Sequence, residues 1–196
     1  MVETVRSISG VPQAAPPTAP PTAEPPLVPD CAWPVQIGRE QAVQTVAGRL
    51  PPPGAADLQA ELHLHPLLAV EFVGSTRPGA RRPPLTGHAL VDLIGGRAYV
   101  AEPWTEVEFL ALDQLSAASP APAAQIGREE AVRAARRVLG NVLLRRRRWG
   151  IGGGLTLGRD PICVAKPNWW ITGAAGGRAV EVLVDAVSGR HYAFRA

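Results

Sequence analysis

The densest chemistry in this chain is cationic: Arg145-Arg146-Arg147-Arg148, closed by Trp149. Such a run suits the phosphates of nucleic acid or anionic lipid, with the indole stacking or inserting beside them. The plainer reading is a solvated helix end, where the helix dipole favours cations. A second basic segment, residues 74–86, carries Arg77, Arg81 and Arg82 among Pro and Gly and reads as a long exposed loop, the kind of place where binding residues collect. Trp169 and Trp170 are adjacent, so on a strand one faces the core and the other faces solvent or a partner, as an aromatic interface anchor would.

Other candidate chemistry is thin. Gly150-Ile151-Gly152-Gly153-Gly154 is glycine-rich, but no Lys-Ser/Thr follows it, so it reads as a connection and not as a phosphate loop. His63 and His65 share one strand face and could begin a metal site with His88, yet no acid or cysteine stands at ligand spacing. Cys31 and Cys163 form no metal pattern. One bridge between them stays open, with two free thiols as the expectation in a reducing compartment. No Ser/His/Asp or Cys/His group assembles from the sequence. The residues therefore predict a protein without enzymatic activity, cofactor or metal.

The elements that must position these residues follow from composition and repetition. The formal charge of +3 is uneven: residues 1–104 carry seven Arg against nine acids, whereas residues 105–196 carry thirteen basic residues against eight. Nineteen of the twenty basic residues are Arg, and with the Ala, Gly and Pro abundance this fits a GC-rich coding sequence as well as selection for phosphate. No apolar run reaches the roughly 18 residues of a membrane span, and no apolar stretch of a secretory signal precedes residue 30. The expected compartment is the cytoplasm as encoded, or the cell envelope or the exterior as a secreted protein if an export signal is missing from this start. Residues 1–32, rich in Pro, Ala and Thr, are expected to form a disordered tail.

An internal repeat organises the rest. Gln36-Ile37-Gly38-Arg39-Glu40-Gln41-Ala42-Val43 returns as Gln125-Ile126-Gly127-Arg128-Glu129-Glu130-Ala131-Val132, with seven of eight positions identical at an offset of 89. Val91-Asp92-Leu93-Ile94-Gly95-Gly96-Arg97-Ala98-Tyr99 returns as Val184-Asp185-Ala186-Val187-Ser188-Gly189-Arg190-His191-Tyr192, with five of nine identical at an offset of 93. The first block opens a helix: Gly38 or Gly127 as N-cap, an acid in the first turn, Gln41 or Glu130 placed for a capping box, Ile37 or Ile126 as staple, then an apolar stripe. The second is a hairpin, with Asp92 or Asp185 accepting N–H groups across the turn and Gly96 or Gly189 taking positive φ. Further strands are expected at 61–73, interrupted by Pro66, and at 162–172, interrupted by Pro167. The predicted fold class is α+β: two modules, 33–104 and 123–196, joined by a linker at 105–122, each with one helix on its own three- to four-stranded antiparallel sheet.

These blocks resemble the PepSY family, whose signature is a helix opening Ile-x-x-Glu-x-Ala and a closing Val-Asp-x-x-(Ser/Thr)-Gly hairpin. Copy two carries both, from Ile126 to Val132 and from Val182 to Arg190; copy one keeps both with Gly95 in place of the Ser. The resemblance implies small domains, found mostly in the cell envelope, in protease propeptides and in sensor-associated proteins, that bind or restrain a partner. The expectation is a protein-binding or regulatory module with an unidentified protein partner, using Arg77, Arg81, Arg82, Arg145, Arg146, Arg147, Arg148, Trp149, Trp169 and Trp170. The alternative is a basic patch docking on nucleic acid or anionic membrane through residues 145–149.

Overall fold

A computed structural model describes residues 25–50, 56–74, 85–104, 106–115, 117–145 and 154–195. The predicted tail falls mostly outside this range, though its last two residues form a strand. In chain order the elements are β1 (Cys31–Ala32), α1 (Arg39–Ala47), β2 (Ala56–Gly74), β3 (Thr86–Asp92), β4 (Ala98–Ala101), β5 (Leu110–Ala111), a 3-10 helix (Leu112–Leu115), α2 (Arg128–Arg145), β6 (Leu155–Leu157), β7 (Ile162–Ala175), β8 (Arg178–Asp185) and β9 (His191–Arg195). Among the described residues no helix is long and apolar enough to cross a membrane.

The expected pair of α+β modules is not what forms. All nine strands among the described residues belong to one mixed sheet, and the described fold is mostly β, with two α-helices. The reason lies in β2 and β7, which pair antiparallel along most of their length, from Ala56↔Ala174 to Ala69↔Ile162. Each then pairs on its other edge with its own hairpin strand, β2 with β3 and β7 with β8. Among the described strands β1 pairs parallel with β7, at Cys31↔Val164 and Ala32↔Ala165. β2 is buried on both faces from Pro66 to Phe72, where it reads as a continuous apolar run apart from Glu71, whereas Asp57, Gln59 and Glu61 leave one face of its first half exposed.

Neither proline breaks its strand. Leu93 N–H donates to Pro66 O at 3.1 Å and Ala186 N–H donates to Pro167 O at 3.1 Å, just where β3 and β8 have ended. A residue's N and O point to the same side of a strand, so each ring nitrogen lies beyond its neighbour's last donor-requiring position.

The second departure concerns the helices. On one sheet face α2 places Ala131, Ala134, Ala135 and Leu139 on Leu68, Val70, Phe72, Ala89 and Val91 of β2 and β3. On the same face α1 places Ala42 and Val46 on Ala60 of β2, Ile171 of β7 and Val180, Val182 and Val184 of β8. Each helix thus covers the hairpin of the other sequence copy. The joints match: Gln36 N–H and Ile37 N–H both donate to Ala186 O at 2.9 Å, while Gln125 N–H and Ile126 N–H donate to Leu93 O at 2.8 and 3.3 Å. The opposite face is covered over Leu67, Ala69 and Val164 by Trp104, Val107 and Phe109 of a strap formed by residues 102–104 and 106–109, joined by Trp33.

Candidate functional site

Two polar groupings stand on the strap side of the sheet. Across its middle, His65 of β2 faces Lys166 of β7, and each reaches outward to a hairpin aspartate: His65 Nε2 to Asp92 Oδ1 and Lys166 Nζ to Asp185 Oδ2, both at 2.8 Å. Asp92 Oδ1 accepts the Ile94 N–H, and Asp185 Oδ1 accepts the Val187 N–H, both at 2.9 Å; the Ser188 hydroxyl donates to Asp185 Oδ2 at 2.7 Å. Burial works against the charge on both carboxyls, but backbone N–H groups and His65 hold Asp92 below the ordinary range, and Lys166, Ser188 and the turn N–H groups do the same for Asp185. These aspartates lock turns. Gly96 and Gly189 complete the turns at φ 70° and 73°.

The other grouping lies at the corner where β2 ends. Glu71 and His88 are cross-strand partners with side chains only 10% and 8% exposed. His88 Nε2 lies 3.3 Å and Arg159 Nη2 2.7 Å from Glu71 Oε2, neither with good hydrogen-bond alignment. The Trp104 ring packs edge-on to His88, with centroids 4.8 Å apart. A buried carboxylate is tolerable only beside a cation, so Arg159 ties the segment after β6 down onto β2. Gly158 permits this: a Cβ there would lie 2.5 Å from Glu71 Oε1.

That corner is also the root of both arginine segments. Gly74 N–H donates to Leu85 O at 2.8 Å, closing the base of residues 75–84. Leu155, at the end of the connection from α2, pairs with the same Gly74, and Thr156 pairs with Val73. Arg136 of α2 sits 5.3 Å over the Phe72 ring next to them, and Arg137 is exposed. Arg77, Arg81, Arg82, Arg146, Arg147, Arg148 and Trp149 lie outside the described residues, and Arg145 is the last residue of α2.

No family model matches the chain, and no curated protein or solved structure matches it.

The two tryptophans separate as strand neighbours must. Trp169 turns to the helix side, where its Nε1–H donates to Ile37 O at 2.7 Å; it clamps the start of α1. Trp170 lies half-buried on the strap side, opposite Glu61 and 6.0 Å from the His63 ring. The three histidines are not gathered: His65 serves Asp92, His88 serves Glu71, and His63 lies 3.6 Å from exposed Glu61. Among the described residues no three His, Cys, Asp or Glu side chains converge as for a metal. The bridge left open between Cys31 and Cys163 does not form: Cys31 packs with the strap-side core and Cys163 with the helix-side core. Burial raises both thiols, Cys163 to about 11, which leaves them weak nucleophiles. A depression of about 390 Å³ beside α1, lined by Arg39, Glu40, Val43, Gln44 and Leu58, brings no reactive pair together.

Sequence reasoning missed Glu71, Arg159 and the His65–Lys166 pair. One signal was present: each of the latter two immediately precedes a proline, in His65-Pro66 and Lys166-Pro167, at matching places in the two copies.

Proposed function

We propose that this chain is a non-enzymatic binding protein that holds a partner protein against its arginine-bearing corner. One observation carries the reading. Two segments that are some sixty residues apart in sequence, and hold seven arginines between them, are rooted side by side at Gly74, Leu85 and Leu155. Guanidinium groups favour carboxylate-bearing or phosphate-bearing surfaces, because each can donate two parallel N–H bonds to one acid. The resemblance to PepSY domains supports the same reading, since that family binds or restrains partners.

The same charge favours a second reading, docking on nucleic acid or anionic membrane. Affinity capture of the tagged full chain from its native cells, at low and moderate salt, separates the two. A stoichiometric protein retained at both salts by the native chain, and lost when Arg146 and Arg147 are both changed to Glu, is the expected result. Recovery of nucleic acid or lipid alone, lost as salt rises, overturns the first reading in favour of the second.

A further inference from the structure

We infer that the partner protein binds by strand addition: an extended segment of it, alternating apolar and acidic residues, pairs with the outer edge of β6 at the arginine corner. The inference rests on the corner reading above and deepens it by giving the mode in which the partner is held. Among the described residues β6 pairs with β2 alone. Gly158 N–H donates to Glu71 O at 3.0 Å, and bonding direction alternates along a strand. Thr156 therefore also bonds towards β2, while the N–H and C=O groups of Leu155 and Leu157 point away from it. The alternation holds on β2 itself, where Gly74 N–H turns the other way, to Leu85 O at 2.8 Å. No described residue bonds the outward groups of Leu155 and Leu157. Donors and acceptors at ladder spacing on an open edge are a template for another chain.

The surroundings specify what that chain carries. Leu155 and Leu157 share the helix side of the sheet with Phe72, and Leu157 is 42% exposed. An added strand sets apolar residues beside these leucines and turns its alternate residues to the strap side, where Arg159 stands half-exposed beside Glu71. The charge around the edge has one sign. Residues 131–159 contain eight Arg and no acid, residues 75–84 contain three Arg and no acid, and Arg136 and Arg137 of α2 are exposed. Acids at the alternate positions of the added strand match that field. A nucleic-acid strand would meet the charge as well, but its phosphates only accept hydrogen bonds and leave the outward carbonyls of Leu155 and Leu157 without donors. The edge therefore selects a polypeptide.

The test uses the full chain and a fluorescent decapeptide of alternating Val and Glu, titrated by anisotropy at moderate salt. Two N-methylated versions keep its side chains and charge, one methylated at every Val and the other at every Glu, so that each lacks the N–H groups of one edge. The native chain should bind the parent peptide, and one methylated version should bind at least about tenfold more weakly than the other, because only alternate residues face β6. Leu157→Pro removes an outward N–H and no bond to β2; it should weaken the parent peptide by about tenfold while the urea midpoint stays near the native one. Equal binding of the two methylated versions, binding that survives Leu157→Pro, or no binding up to about 1 mM overturns the inference. Changing Arg146 and Arg147 together to Glu tests the corner separately. Loss of the parent peptide on that change, with equal binding of the methylated versions to the native chain, keeps the corner and overturns strand addition. Discrimination between those versions that survives the charge reversal overturns the corner reading and leaves the β6 edge standing.

Discussion

Asp185 and Asp92 do the same local work with different partners, and the difference is measurable. Asp185 is 8% exposed and bound to a permanent cation, Lys166, whereas Asp92 is 22% exposed and bound to His65. Removing a buried acceptor strands its donors, so Asp185→Ala should destabilise the protein by about 2–4 kcal/mol and Asp92→Ala by about 1–2 kcal/mol, read from urea midpoints at pH 7. Both carboxyls are held below their ordinary value in the folded protein. Their stabilisation is therefore fully present above the unfolded value of about 4, and is lost as pH falls through the lower folded value. Urea midpoints measured from pH 7 down to pH 2 should fall in that acid window, and Asp185→Asn should flatten the fall. An Asp185→Asn profile parallel to the native one would rule out Asp185 as its source.

At the scale of elements, α2 should carry more than α1. It spans Arg128–Arg145 against Arg39–Ala47, and Leu139 is buried where a Cβ on Gly87 would stand only 3.2 Å from Leu139 Cδ2. Leu139→Ala should cost about 2–5 kcal/mol through lost burial and an unfilled cavity, checked by chemical denaturation. Much of this level was legible in the sequence. The repeated Gln-Ile-Gly-Arg-Glu block opens both helices, with the Gly38 and Gly127 carbonyls accepting the first bonds from Ala42 and Ala131, although α1 shows no side-chain cap. The Val-Asp blocks make both hairpins. What stayed hidden was pairing at long range. Apolar periodicity tells which face of Ala42–Val46 is buried but not against which strand, and Val91 and Val184 satisfy that face equally well. The prolines misled for a related reason: whether a missing N–H matters depends on where the neighbouring strand stops, which no local pattern records. Glu71 and Arg159, eighty-eight residues apart, had no local signature at all.

For the whole molecule, the crossing of the helices makes the two halves of the sheet mutually dependent. A cavity under α1 exposes the hairpin of the second copy, and a cavity under α2 exposes that of the first. Thermal unfolding of the full chain should therefore be one transition, with calorimetric and van't Hoff enthalpies equal. Val46→Ala should shift that transition downward as a whole; its splitting into two steps would show the halves to be independent. Among the described residues Ile37 lies against Gly189 and Ile126 against Gly96, with Ile Cδ1 3.5 and 3.9 Å from where a glycine Cβ would stand. These contacts set how such a gene can drift. A change at Ile37 is compensated near Gly189 and not near Gly96, so selection couples the start of one copy to the end of the other. The two duplicated stretches can diverge along their own lengths only as fast as their counterparts follow, and the unit passed down intact is a crossed pair of fragments that never sit next to each other in the DNA.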